Sequence, residues 1–341
     1  MRVGICDFPS RYAFPPFGYG GIERWLWAAA LGAHQSGATV TLLGPAWRDD
    51  LLPGFRRVSV RFEDISKDGE VFRLVERLRL DLLIVGHEYA SHSAWRAVHA
   101  GLGCEVATFQ HDPTFQHTAN AFNGATIRLY CYSTEMVERY REHRPTQCLS
   151  VQFGLGEHMP DPATQGQDLV WIGRVDGDKA PHLAAMASAH LGKRLRIIGP
   201  INKTYFNQHR AILTAPHVEF VGELAGSSKL TALSSARTLV YTCSRDYVEA
   251  GAAVFGEALR CGTPVAAAVW RSGTCAQSAL CHETGTLAEF RRDDSDHDVA
   301  TTLADAIGAA ANLDHRRVQK IGLDRFNPAR HFAALSYNPC P

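Results

Sequence analysis

Short apolar runs rich in β-branched residues alternate with longer stretches of helical period along this chain, the pattern of βα units built on a parallel sheet. The alternation comes in two series. The first predicts strands at Arg2–Cys6, Thr39–Leu43, Leu82–Val85, Glu105–Phe109 and Leu129–Tyr132, and closes at Cys148–Phe153. After its first strand, Ile22, Trp25, Leu26, Ala29 and Ala33 share one helical face, and Gly37 supplies a natural stop. The second series predicts strands at Leu169–Gly173, Leu195–Gly199, Val218–Val221, Thr238–Thr242 and Pro264–Ala268. Between the series, the segment from Gly154 to Gln167 holds three Gly, two Pro and two Gln with few apolar residues, and reads as a linker. A length of 341 residues also fits two domains at roughly 150 residues each. The expectation is an α/β chain of two Rossmann-like domains, over 1–154 and 155–325, with a terminal segment 326–341. Two such sheets facing one another would place a cleft at the carboxyl ends of their strands, where ligands of these sheets bind.

Composition narrows the partners. With 45% hydrophobic and 21% charged residues the chain is globular, too apolar for disorder. Lys plus Arg and Asp plus Glu both number 35, so no global field draws it to nucleic acid or to an anionic membrane. Neither is expected as a partner, and any anion site must be local. The nine cysteines, from Cys6 to Cys340, form no C-x-x-C pair and no zinc-ligand spacing, which reads as reduced thiols in a cytoplasmic protein. No apolar run approaches the roughly 18 residues of a membrane span. The helix after Gly21 carries Arg24 as its one Lys or Arg, which argues against interfacial binding.

Four stretches carry chemistry. In Glu249-Ala-Gly251-Ala252-Ala253-Val-Phe-Gly-Glu257, followed by Cys261-Gly262-Thr263-Pro264, two carboxylates stand eight residues apart, a little over two turns and so roughly one helical face, with Glu249 at or before the helix start and Glu257 within the helix. The bland alternative is one Glu favouring a helix dipole and another on a solvated face. In Trp171-Ile-Gly173-Arg174, followed by Lys179, a strand end delivers two cations, and their bland reading is a loop whose charges are neutralised by Asp176 and Asp178. The loop ending Gly18-Tyr-Gly20-Gly21-Ile22-Glu23 allows a close backbone approach to a ligand before a helix start. Its Glu at the last position breaks G-x-G-x-x-G, which demotes a dehydrogenase. Finally, Phe109-Gln-His111-Asp112 puts a histidine at a strand's carboxyl end.

Taken together, these residues resemble glycosyltransferase family 4, over nearly the whole chain from Gly20-Gly21 to the helical stretch Asn327 to Tyr337, which is similar to the family's crossover helix. The resemblance implies a GT-B architecture, with parallel sheets of two Rossmann-like domains facing a central cleft. It implies a nucleoside diphosphate sugar as donor substrate and no further cofactor. Arg174 and Lys179 would grip the diphosphate in place of a metal, since a fixed guanidinium fork and an ammonium can stabilise a developing anion. Glu257 would accept hydrogen bonds from the ribose, Glu249 would orient the transferred sugar, and His111 would serve the acceptor side. Gly20, Gly21, Gly251, Ala252 and Ala253 would border the donor. Three positions depart from the family. Gly251 stands where an aromatic is usual, Gln277 where an acid is usual, and Ala180 where Gly follows the Lys.

The expected function is a metal-independent, retaining transfer of a sugar to a hydroxyl of a soluble small-molecule or glycan acceptor. The alternatives are an epimerase or phosphorylase on the same scaffold, or a non-catalytic sugar-nucleotide-binding subunit, which the changes at Gly251 and Gln277 suggest. Asp176 and Asp178 are the strongest objection to metal independence, because a carboxylate pair at that spacing can hold a cation with phosphates.

Overall fold

A computed structural model describes residues 1–6, 14–15, 21–44, 54–86, 93–116, 127–144, 146–147, 159–160 and 166–336. The chain divides into two compact units, Met1–Gly156 with Phe326–Pro341, and Glu157–Arg325.

The first unit holds β1 (Arg2–Cys6), α1 (Ile22–Gln35), β2 (Thr39–Leu43), β3 (Arg56–Val58), α2 (Gly69–Glu76), β4 (Leu82–Val85), α3 (Ser93–Leu102), β5 (Glu105–Phe109), β6 (Ile127–Cys131), α4 (Thr134–Arg139) and β7 (Thr146–Gln147). Its sheet runs β3-β2-β1-β4-β5-β6-β7, with every neighbouring pair parallel. Cys6, Leu83, Val85 and Val106 share a core with Val75 of α2 and Val98 of α3. A terminal helix, Pro328–Ser336, returns from the end of the chain to pack along α1. Gly32 makes this possible, because a Cβ there would stand 1.9 Å from the Pro328 carbonyl oxygen. The one-faced pattern of α1 understates its burial. All residues from Glu23 to Ala33 are buried, since the sheet takes one side of the helix and the returning helix another.

The second unit holds β8 (Leu169–Ile172), α5 (Pro181–His190), β9 (Leu195–Ile198), α6 (Lys203–Gln208), α7 (Arg210–Leu213), β10 (Val218–Gly222), α8 (Gly226–Ser234), β11 (Thr238–Tyr241), α9 (Ala253–Arg260), β12 (Val265–Val269), α10 (Cys275–Ala279), β13 (Gly285–Glu289), α11 (Asp296–Ala310) and α12 (His315–Arg325). The terminal helix is therefore α13. The second sheet, β10-β9-β8-β11-β12-β13, is also wholly parallel. Trp171, Ile197, Val240 and Ala266 pack beneath α5 and α11 through Leu183, Ala184, Val299 and Leu303.

Besides β7, which lies just ahead of an expected strand, two strands escape the sequence pattern. β3 is short with two exposed arginines, and β13 reads Gly-Thr-Leu-Ala-Glu with only two of its five residues buried. Both lie at sheet edges, where a strand need not be apolar on both faces. The expected strand over Leu129–Tyr132 begins earlier, at Ile127. The one expected over Cys148–Phe153 lies outside the described residues, as does most of the linker.

His99 in the first unit and His315 in the second are buried, and burial pushes each imidazole down to about 4. A histidine held neutral when folded and titrating near 6.5 when unfolded contributes stability that is present above the unfolded value and is lost as pH falls toward the folded one. At pH 5 each is expected to remove about 2 kcal/mol. Urea midpoints measured at pH 7.5 and pH 5 check this. His99→Gln should flatten the dependence, and an unchanged slope in that variant would refute the assignment.

Candidate functional site

In the second sheet the chain starts at β8 and builds outward on one side to β9 and β10, then on the other to β11, β12 and β13. β8 and β11 therefore flank the switch point, where open α/β sheets bind ligands beyond the carboxyl ends of their strands. Arg174 and Lys179 follow β8, and Glu249 follows β11. Gly199 lets the first of these loops form, because a Cβ there would stand 1.9 Å from the Gly173 carbonyl oxygen. Beneath it, the Trp171 indole donates to Thr242 Oγ1 (2.9 Å), and Thr242 donates to the Lys179 carbonyl (2.7 Å). The Ser244 amide donates to the Asp178 carbonyl (2.8 Å). Together these bonds lock the two loops to each other.

Between the loops stands a buried ion pair. The Lys179 ammonium donates to Glu249 Oε2, and the Tyr241 hydroxyl donates to the same oxygen at 3.0 Å. Lys179 also lies 4.8 Å from the centre of the Tyr247 ring. The two charged side chains are only 15% and 12% exposed. Burial works against the Lys179 charge, but the charge and hydrogen bond of Glu249 together with its other neighbours outweigh it, and the net displacement of the ammonium is upward from the ordinary lysine range. Burial, and then Glu249, push the Tyr247 hydroxyl up to about 12, and the same two causes raise Tyr241 and Cys275. The hydroxyls and the thiol are thus neutral groups around one charged pair. Arg174 is the more open cation at 46% exposure, with Asp176 and Asp178 each 3.2 Å from its guanidinium.

Glu257 lies elsewhere. It is inside α9, while Glu249 precedes that helix by four residues. Each has its own lysine, and the partner of Glu257 is Lys229 of α8. Gly251 is in the loop before α9, Ala252 caps the helix and Ala253 opens it. Gly262 to Pro264 turn the chain into β12, with Thr263 donating to the Leu233 carbonyl at 2.6 Å.

In the first unit His111 follows β5. Its Nδ1 lies 3.0 Å from the Tyr132 hydroxyl, and its ring packs edge-on to Trp25 with centroids 5.6 Å apart. Trp25 in turn meets His331 of α13 at 5.5 Å. Tyr140 steadies the loop after His111 by donating to the carbonyls of Asp112 (2.7 Å) and Phe115 (3.0 Å). Gly21 is the N-cap of α1, and Gly20 lies outside the described residues. Tyr241, Tyr247, Lys229 and Tyr132 were not singled out by the sequence, because none belongs to a spacing pattern and only the strand order brings them to these places.

The family model for glycosyl transferases group 1 matches residues 161–315, most of the second unit. Solved structures match nearly the full length. AviGT4, a glycosyltransferase involved in avilamycin A biosynthesis, superposes with a TM-score of 0.71 and 20% identity over 97% of this chain and 95% of that one. Anabaena Alr3699/HepE, in complex with UDP and glucose, gives 0.64 and 14% over 97% of each chain. WaaG, a glycosyltransferase involved in lipopolysaccharide biosynthesis, gives 0.64 and 13% over 99% of this chain and 100% of that one. The chain has the GT-B fold of these structures, and its second unit matches the glycosyl transferases group 1 family. A comparison with curated proteins by sequence found no match.

Two departures noted in the sequence have local explanations. Ala180, beside Lys179, has a φ of +45°, a left-handed conformation that costs an L-residue roughly 1–2 kcal/mol and that Gly adopts without that cost. Strain of this kind persists where the surroundings over-determine the backbone. Gln277 closes a capping box on α10, its Oε1 accepting from the Thr274 amide at 3.0 Å. The amide thus keeps the cap that an acid would form, without its charge. Among the described residues no group of three or more His, Cys, Asp or Glu side chains could hold a metal ion, and no helix is long and apolar enough to cross a membrane.

Proposed function

We propose that this chain is a glycosyltransferase of family 4 that moves a sugar from a nucleoside diphosphate donor to a hydroxyl of a soluble acceptor, with retention and without a metal. The observation that carries the reading is the placing of Arg174 and of the Lys179–Glu249 pair beyond the carboxyl ends of the two strands flanking the switch point. Arg174 and Lys179 bind the diphosphate, and both charges stabilise the phosphate oxygen that becomes anionic as the bond to the anomeric carbon breaks. Glu249, held by Lys179 and Tyr241, orients the sugar through its hydroxyls. Glu257 accepts from the ribose, and Gly251, Ala252 and Ala253 border the donor. His111, with its ring fixed by Tyr132 and Trp25, serves the acceptor side. The acceptor oxygen attacks the face from which the phosphate leaves, and the departing phosphate oxygen takes the acceptor's proton, so no enzyme nucleophile is required.

Metal independence has a specific support. Both aspartates that could have held a cation are turned onto Arg174, and the Asp176 Oδ1 accepts from the Lys179 amide at 3.1 Å. Their work is to position the cations. A thermal-shift series with UDP, GDP, ADP and dTDP selects the nucleotide, and sugar transfer from the matching sugar nucleotides is then followed with EDTA and with magnesium. Turnover is expected to be unchanged by EDTA, and Asp176→Asn to cost little. Activity abolished by EDTA and restored by magnesium, together with a severe defect in Asp176→Asn, would assign the phosphate site to the aspartates.

A further inference from the structure

On the nucleoside-diphosphate reading of the second unit, we propose that Lys229 is a second ribose-reading residue, which acts with Glu257 to hold the ribose diol of the donor and makes the enzyme prefer ribonucleotides. Lys229 lies in the first turns of α8 and Glu257 in α9. These helices follow β10 and β11, so both start at the carboxyl edge of the sheet. The ammonium donates to Glu257 Oε1, with the two side chains 13% and 4% exposed.

Taking two charges out of water offsets most of their attraction, so a buried pair is a weak device for holding helices together. α8 is already anchored by the buried Leu230 and Leu233 and by the hydrogen bond from Thr263 to the Leu233 carbonyl. The pair does have a chemical use. A sugar hydroxyl both donates and accepts, a carboxylate only accepts and an ammonium only donates. Side by side they satisfy both halves of one hydroxyl, whereas Glu257 alone would satisfy only its proton. The ammonium also offsets the carboxylate's repulsion of a nearby diphosphate. There is room for a ligand at the mouth of the β10–α8 loop, since a Cβ on Gly222 or Gly226 would meet nothing within 4 Å.

Calorimetric titration of the wild type, Lys229→Met and Lys229→Arg with UDP, ADP and GDP and with their 2′-deoxy forms tests this. For the ribonucleotide that binds tightest, Lys229→Met is expected to lose about tenfold in affinity or more. The 2′-deoxy form should lose far less, so the ribose preference collapses, and Lys229→Arg should keep part of it. Lys229→Met combined with Glu257→Gln removes the stranded carboxylate and is expected to fold and to show no preference, which separates recognition from stability. A folded Lys229→Met protein that keeps the full ribose preference overturns the role of Lys229 and leaves the donor reading standing. A wild type that binds none of the nucleotides overturns both.

Discussion

Lys179→Ala is expected to lower the rate of sugar transfer by about a hundredfold or more, the scale seen when one preorganised contact to a developing anion is removed. It is also expected to destabilise the second unit, because Glu249 would remain only 12% exposed with its cation gone, and breaking a buried pair from one side costs about 3–5 kcal/mol. The two effects are separable. Lys179→Ala with Glu249→Gln leaves Tyr241 with a neutral acceptor in place of the carboxylate, so folding should recover while transfer stays low. Melting temperatures and single-turnover rates measured on the same preparations decide between them. If the double variant folds and transfers sugar at nearly the wild-type rate, Lys179 is a structural partner of Glu249 and the diphosphate is held elsewhere.

Gly32→Ala should be the most damaging single-methyl change in the first unit. The added carbon would stand 1.9 Å from the Pro328 carbonyl oxygen and 2.9 Å from Phe332 Cβ, and two helices must part to admit it. Overpacking of this kind costs about 1–3 kcal/mol, occasionally more, and the upper end is expected because the obstacle is backbone. At roughly 2–4 °C per kcal/mol for a unit of this size, the melting temperature should fall by about 6–12 °C. The contrast is Gly308→Ala on α11, where a Cβ meets nothing within 4 Å. There the helix gains up to about 1 kcal/mol from the lost backbone freedom. Scanning calorimetry of both variants checks the pair. A Gly32→Ala protein as stable as the wild type would mean that α13 does not rest on α1 at this distance.

Much of the scaffold was legible because apolar, β-branched runs of four or five residues record burial on both faces of a parallel strand. Arg2–Cys6, Thr39–Leu43, Leu82–Val85 and Glu105–Phe109 carry that record and form strands with those limits. Arg56–Val58 and Gly285–Glu289 do not, since a strand at a sheet edge is half solvated and its composition resembles a loop. The residues of the proposed donor site were partly legible for a different reason. Gly173, Arg174 and Lys179 follow a strand end, and Glu249 and Glu257 stand before and within one helix, so their spacings form a local pattern.

Residue pattern and spacing were enough to establish two βα series, the two cations after one strand and the two carboxylates around one helix. Which groups face each other is a property of the folded chain. Strand order set β11 beside β8 and so brought Glu249 to Lys179, 70 residues away in sequence, and it was helix packing that joined Lys229 of α8 to Glu257 of α9. Periodicity reports which side of an element is buried, but it holds no information about the partner. That is fixed by the register of the sheet and by the close approach of helices, which sum over the whole chain and are written in no local pattern.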